Sequence, residues 1–380
     1  MIWISLFSFL ILFYIYVGYF LLLKLLIKNN SVIDCNMDVN YIPTVTVLVT
    51  VHNEAEIIVS RIKNILQCSY PSVSLEVLIA SDGSTDDTDR LVSEFNDYRV
   101  RLFRPEFRSG KSDTQNQAIE IAQGEVVIFS DADTRFSEEF IKNIVRPFSD
   151  SRVGGVDGHL LFLSESKSGI SQGQSFYWNQ ELKIRSFESK LGILSVGSGA
   201  CLAIRKELFR KLDSSIGEDC LLPLSIVSQG RLMIHESSAI AYDKMPEDRL
   251  NEFKTRVRMT QRNWSGTWLF SHLLNPFNKP MVSFSLFSHK ILRWLSPLFL
   301  INWLIFSLLV ITSSMGSELY FFSWISVVFL VISFIGFIAS HFEINIPIVK
   351  LIYGFCLANA GFFIGVSRAM YGKKILFYKA

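Results

Sequence analysis

VTVLVTV, residues Val45–Val51, is an unbroken apolar, β-branched run that stops at His52-Asn53-Glu54. A run of this kind reads as a strand buried on both faces, as inside a parallel sheet. Outward from it the pattern alternates. Glu54–Gln67 sets Ile57, Ile58, Ile62, Ile65 and Leu66 on one helical face. Leu75–Ala80 (LEVLIA) is a second strand, halted by Ser81-Asp82-Gly83. Asp86–Phe95 opens with the Asp and Thr residues that cap helices. Val100–Phe103 reads as a third strand, Ser112–Ala122 as a third helix and Val126–Ser130 (VVIFS) as a fourth strand ending at Asp131. Strands alternating with helices imply a doubly wound α/β sheet over about residues 40–270. Ligands bind such sheets beyond the carboxyl ends of the strands, where Asp82 and Asp131 stand.

The chain of 380 residues is long enough for one such domain and a membrane part. Its composition is 49% hydrophobic with 32 Phe, too apolar for an ordinary soluble enzyme. A formal net charge of +2 offers no global attraction for nucleic acid. The five cysteines are scattered and form no CxxC pair, so neither a disulfide framework nor a zinc site is indicated.

Residues Ile2–Leu23 carry no charge and are long enough to cross a bilayer. They lack a basic start and end at Lys24 and Lys28, which favours a retained anchor (residues 1–27) over a cleaved leader. Three more apolar stretches, Ile291–Ser313, Leu319–Ser340 and Ile346–Val366, follow a membrane-interface segment at 271–290. They make up a C-terminal membrane part at 291–366, with a basic tail at 367–380. Lys24, Lys28, Lys279, Lys290 and Arg293 flank the middle region, which places it in the cytoplasm at the plasma (inner) membrane. The loop Ser314–Glu318 has no Lys or Arg and reads as external. Four crossings would leave Arg368, Lys373, Lys374 and Lys379 outside, against that trend, and Lys350 interrupts the last stretch.

Three acidic motifs carry the chemistry. Asp82-Gly83-Ser84-Thr85-Asp86 fits a turn and helix cap, or a carboxylate that accepts hydrogen bonds from a uracil or ribose edge. Asp131-Ala132-Asp133 sets two carboxylates one residue apart at a strand end, where they can share Mg²⁺ or Mn²⁺ with diphosphate oxygens. Glu218-Asp219 opens a helix, where acidic residues favour the dipole and where a carboxylate can also act as general base. Lys111, at a loop-to-helix junction, is either a solvated cation or a phosphate contact; the P-loop spacing is absent. Arg258 and Arg262 lie one helical turn apart in KTRVRMTQR, a stretch that suits anionic membrane lipids on one face and a diphosphate on another. Trp264, Trp268 and Phe270 suit a membrane interface.

These motifs, in this order, resemble membrane-bound inverting glycosyltransferases of family 2, the group that includes cellulose, chitin and hyaluronan synthases and bacterial exopolysaccharide and glycolipid transferases. The likeness runs from about Tyr41 to the C-terminus through VTVLVTVHNEAE, DGSTD, GKSDTQN, DAD, YWNQELKIRSFESKLG, VGSGACLAIRKELF, GEDCLLPLSIVSQG and HKILRWLSPLF. It implies a GT-A fold, a nucleotide-sugar donor, most often UDP-linked, and a divalent cation. It implies that Glu54 and Asp82 contact the nucleoside, Lys111 the phosphates, and Asp131 and Asp133 the metal and diphosphate. Ser198, Gly199 and Ala200 would line the acceptor side, and Asp219 would be the base, beside Glu218. Processive members carry Gln-x-x-Arg-Trp before the membrane helices; here Thr255, Arg258 and Met259 occupy those places, so only the Arg is kept unless Trp264 substitutes for the aromatic residue.

The sequence therefore points to an inverting transfer of one or a few sugars from a nucleotide donor to a lipid-linked or glycan acceptor. A processive synthase, a catalytically silent scaffold of an export complex and a nucleotidyltransferase are the competing readings. The silent scaffold has no need of three acidic motifs, and the acceptor-side stretch disfavours the nucleotidyltransferase. Sugar identity, linkage and oligomeric state are not encoded in any motif.

Overall fold

The computed structural model describes the chain except for residues 30, 31, 34, 36, 37, 39, 164–168, 245–248, 314–319, 343, 345 and 373–380. The loop at Ser314–Glu318 and the tail lysines Lys373, Lys374 and Lys379 thus lie outside the described residues.

Among the described residues, eight strands form one sheet in the order β3-β2-β1-β4-β7-β6-β8-β5. Its parallel half is β1 (Val45–Val51), β2 (Leu75–Ser81), β3 (Val100–Phe103) and β4 (Val126–Ser130). The other half is β5 (Arg135–Phe136), β6 (Val153–Leu163), β7 (Leu202–Arg205) and β8 (Leu232–Lys244). β7 runs antiparallel to β4 and β6, while β6 and β8 are parallel.

The alternation within β1 explains the two-sided packing. Val45, Val47, Val49 and Val51 join one apolar layer with Ile58, Ile62 and Ile65 of the helix Ile58–Leu66. Leu48 points the other way and packs with Ala118 and Ile119 of the helix Lys111–Ile121 and with Leu221 and Leu224 of the helix Glu218–Ser228. With helices on both faces, the central strands have no solvated side to tolerate polar residues. Gly124 lets β4 start tight against β1, because a Cβ there would collide with the Val45–Thr46 backbone.

Register then sets the site. Val51 pairs with Ser81, and Val49 pairs with both Ile79 and Ser130. The carboxyl ends of β1, β2 and β4 therefore open at one edge, where Glu54, Asp82 and Asp131 emerge.

Among the described residues, four helices are long and apolar enough to cross a membrane: Ile2–Asn29, Pro280–Thr312, Tyr320–His341 and Ile348–Met370. The second begins at Pro280, not at Ile291 as the apolar run alone predicts. Its first turns hold His289 and Lys290, whose ring nitrogens and ammonium meet the buried carboxylates of Glu181 and Glu188. Lys350 does not break the last helix, which is continuous over Pro347–Met370. Small polar groups join the bundle: Ser5 Oγ and Ser307 Oγ lie 2.7 Å apart, and Ser296 Oγ bonds both Tyr16 OH (3.0 Å) and Asn359 Oδ1 (2.6 Å).

Candidate active site

At the carboxyl edge of the parallel strands a cleft of about 270 Å³ is lined by Glu54, Asp82, Lys111, Asp131, Asp133, Arg258 and Arg262, among others. The loop after β1 clasps the loop after β2. Asn53 takes a left-handed turn (φ 59°), and its side-chain oxygen accepts from the Thr85 amide at 2.8 Å. The Glu54 amide donates to Thr88 Oγ1 at 2.9 Å. Asp82 is buried, and its carboxylate accepts from the amides of Ser109 (2.9 Å) and Gly110 (3.0 Å) and from Thr114 Oγ1 (3.0 Å). Asp82 thereby fixes the loop that delivers Lys111; Gly110, at φ 90°, makes the turn into the helix.

Lys111 is the hub of the charges. Its Nζ lies 2.6 Å from Asp131 Oδ1 and 2.6 Å from Glu218 Oε1. Burial works against its proton, but Asp131 and then Glu218 more than offset this and raise its pKa. Glu218 and Asp219 diverge although they are adjacent. Burial opposes ionisation of Glu218, yet the Lys111 ammonium and the more distant Arg262 hold its carboxyl below the ordinary value. Asp219 is raised, first by burial and then by the charge of Glu218. Gly217 allows this crowding, since a Cβ there would meet the Asp219 carboxylate and, at 3.4 Å, the Arg262 guanidinium.

Residues 198–200 close the other side. Gly199 lies against Glu218, where an added Cβ would come within 2.7 Å of Oε1. The Ala200 carbonyl accepts from Ser130 Oγ at 2.8 Å, next to Asp131. One strand end, one helix start and one loop thus meet around two carboxylates and a lysine. That arrangement can hold a phosphorylated ligand and leave a carboxylate beside it to take a proton.

Residues 46–213 match the model of the family described as glycosyl transferase family 2. Over that stretch, which is less than half of the chain, the sequence resembles a family 2 glycosyltransferase domain. Among curated proteins, a beta-monoglucosyldiacylglycerol synthase from Nostoc is 26% identical over 155 residues, 40% of this chain and 33% of that protein. The poly-beta-1,6-N-acetyl-D-glucosamine synthase of Staphylococcus epidermidis is 24% identical over 57% of this chain and 54% of its own length. The chain spans about a third to just over half the length of these relatives. A solved mannosyltransferase from Pyrobaculum calidifontis, in complex with GDP-Man and Mn2+, superposes with a TM-score of 0.71 at 20% identity, covering 98% of this chain and 100% of that one. At that identity the likeness is one of fold, and it extends through the membrane helices.

The fold brings Glu54, Asp82, Lys111, Asp131, Asp133, Arg258 and Arg262 to one cleft, with Glu218, Asp219 and Ser198–Ala200 packed at its side. It places Trp264 elsewhere. That ring packs with Trp294, Phe362 and Val366 of the membrane helices, 6.0 Å from the Trp294 ring centre, and is not among the residues lining the cleft. Apolar burial in the bundle outweighs exposure of the indole to an acceptor.

Asp131 and Asp133 suit a divalent cation. Among the described residues no group of three or more His, Cys, Asp or Glu side chains is arranged to hold a metal unaided, so diphosphate and water oxygens would complete the shell. The surrounding field is negative. Glu54 is raised by burial and then by Asp133, and Asp243 is pushed up to about 7 by burial and by Asp133. Asp243 sits just past the end of the β5–β8 pairing, opposite residues far away in the chain, and its sequence context, AYDKM, offers no signal. Arg61 is also invisible in sequence. It is fully buried under the motif, where its guanidinium donates to Ser130 Oγ at 2.6 Å and stacks on Phe136.

Proposed function

We propose that the chain is a membrane-anchored, inverting glycosyltransferase. It moves a sugar from a nucleoside-diphosphate donor to a lipid-linked or glycan acceptor at the cytoplasmic face of the plasma (inner) membrane. The observation that carries this reading is the Asp131–Lys111–Glu218 chain of contacts, which ties the diphosphate-side motif to the helix that starts with Asp219. The relatives named as synthases of beta-monoglucosyldiacylglycerol and of poly-beta-1,6-N-acetyl-D-glucosamine support a lipid-linked or glycan acceptor.

Asp219 accepts the proton of the acceptor hydroxyl as its oxygen attacks the anomeric carbon from the side opposite the leaving diphosphate. Its raised pKa makes it a stronger base than Glu218, which is committed to Lys111. Lys111, Arg258 and Arg262 supply positive charge where negative charge grows on the diphosphate. A divalent cation held by Asp131 and Asp133 would add Lewis-acid stabilisation of that leaving group. One displacement inverts the anomeric centre. The donor is UDP-linked in most of the family, whereas the solved fold neighbour holds GDP-Man, so both nucleotides belong in the assay.

The test is nucleotide release and product formation by the full chain in detergent or nanodiscs, over a panel of UDP- and GDP-sugars with native lipid extract. Transfer with one donor, abolished in Asp219→Asn while nucleotide affinity stays within about twofold, is the expected result. An active Asp219→Asn variant removes Asp219 from the base role. Asp133→Ala, or EDTA on the unaltered chain, should instead weaken nucleotide binding, read by calorimetry without turnover.

A further inference from the structure

A second set of buried charges lies behind the cleft and leads to the membrane. Asp157 on β6 is fully buried. Its carboxylate accepts from the Ser198 amide at 2.8 Å and from Arg185 Nη1 at 3.1 Å, and His235 Nδ1 lies 2.9 Å away. Arg185 Nη1 also donates to Ser198 Oγ at 2.8 Å. Arg185 Nε reaches Glu181 Oε1, one helical turn earlier, at 3.3 Å. The other oxygen of Glu181 meets His289 Nε2 at 3.0 Å and Arg293 Nη1 at 2.8 Å. His289 Nδ1 continues to Glu188 at 2.9 Å, which in turn accepts from Tyr19 OH at 2.7 Å and Ser285 Oγ at 2.8 Å.

We propose that Arg185 is a positioning residue of the transfer site: it holds the 197–200 loop against Glu218, and is itself held, through Glu181, by His289 and Arg293 at the start of the second membrane helix.

Three observations carry this. First, the loop has two sides. Its back is held by Asp157 and Arg185 through side-chain hydrogen bonds at Ser198, while its front packs on Glu218 and takes the Ser130 hydroxyl beside Asp131. A shift of the back therefore moves the floor under both acidic motifs. Second, Asp157, Glu181, Arg185, Glu188, His289 and Arg293 are all buried. Burying so many charges stabilises less than an apolar core of the same volume, and such groups are best understood as setting one geometry. Third, among the described residues the hydrogen bonds that run from this network toward the acidic motifs pass through Ser198. The network reaches the reacting groups through the loop, which separates a positioning role from a catalytic one. Because His289 and Arg293 belong to the helix Pro280–Thr312, the loop geometry depends on how that helix is seated. The membrane helices are then part of the transfer site and not only its tether.

The consequence for catalysis rests on the transferase reading above, but the positioning itself has an independent readout. In full-length protein in nanodiscs, hydrogen exchange of the peptide spanning residues 194–202 reports the Ser198 amide that Asp157 holds. Arg185→Met should speed that exchange at least about tenfold. The same variant should raise the acceptor KM by roughly tenfold or more, while nucleotide affinity stays within about twofold. Arg185→Lys keeps the charge but not the planar fork, and should fall between parent and Met on both readouts. His289→Gln, remote from the loop, should speed exchange of the same peptide by a smaller factor. If Arg185→Met does not fold, Glu181→Gln takes its place with the same expectations. Unchanged exchange in the folded variants overturns the proposal, as does faster exchange with an unchanged acceptor KM. Parent-like exchange in His289→Gln overturns the link to the membrane. A parent chain that transfers no sugar to any acceptor sinks the transferase reading, and the exchange results then judge the positioning alone.

Discussion

Glu218 and Asp219 are neighbours in the chain, yet their surroundings drive their protons apart. Glu218 is buried and paired with Lys111; Asp219 is half-buried and faces the charge of Glu218. If Asp219 is the base, as proposed, it must be ionised to act, so transfer should fall as pH drops through its raised pKa, at higher pH than for an exposed aspartate. Glu218→Gln removes a charge that raises Asp219, and should move this acid limb to lower pH. Lys111→Met removes a cation that lowers Asp219, and should move it to higher pH. A pH–rate series on the three proteins checks both signs; a common direction would disprove the coupling. The Glu218 pKa is depressed in the folded state, so its contribution to stability is present above the ordinary value of 4.5 and lost as pH falls below it. Removing Lys111 also leaves Glu218 buried without its partner, at a cost of roughly 3 kcal/mol in thermal or denaturant unfolding.

At the scale of elements, the helix Arg249–Leu269 carries Arg258 and Arg262 to the cleft, and its seat is the last membrane helix. Gly361 and Gly365, four apart, let the two backbones approach. A Cβ at Gly365 would lie 2.7 Å from Thr260 Cβ and 2.8 Å from the Val257 carbonyl, and one at Gly361 would lie 3.3 Å from the Arg256 side chain. Gly365→Leu should push the helix away and misplace both arginines, lowering nucleotide affinity by roughly tenfold to a hundredfold, while Gly354→Leu, with open space around it, should not. Calorimetry with UDP and GDP measures this. The strands β1, β3 and β4 are found over the residues that the apolar runs predict. Helix ends are not. The helix expected over Glu54–Gln67 begins at Ile58, because Asn53 is in a left-handed turn and the Glu54 and Ala55 amides bond to Thr88 and Asp86 side chains. The second helix shrinks to Thr88–Ser93 for the complementary reason, since Asp86 accepts from the Thr88 amide ahead of it.

For the whole molecule, the contacts of the last helix bear on the charge conflict at the C-terminus. Gly361, Phe362, Gly365 and Val366 pack against the sheet domain's Arg256, Val257, Thr260 and Trp264 and against Trp294 at the start of the second membrane helix. The end of this helix, with Arg368, is therefore on the same side as the catalytic domain. A C-terminal fluorescent reporter should report a cytoplasmic end, in keeping with the positive charges there. An alkaline phosphatase fusion active outside would mean that the helix completes a fourth crossing. The sequence by itself determined the doubly wound sheet, the carboxylates at its strand ends and the apolar helices, because each follows from a local period of side chains and a local stop. Only the tertiary structure decided which charges meet: Lys111 with Glu218, Asp157 with Arg185, and Glu181 with Arg293. Those pairings join residues tens to hundreds of positions apart, and they exist because burial makes an unpaired charge too costly to keep.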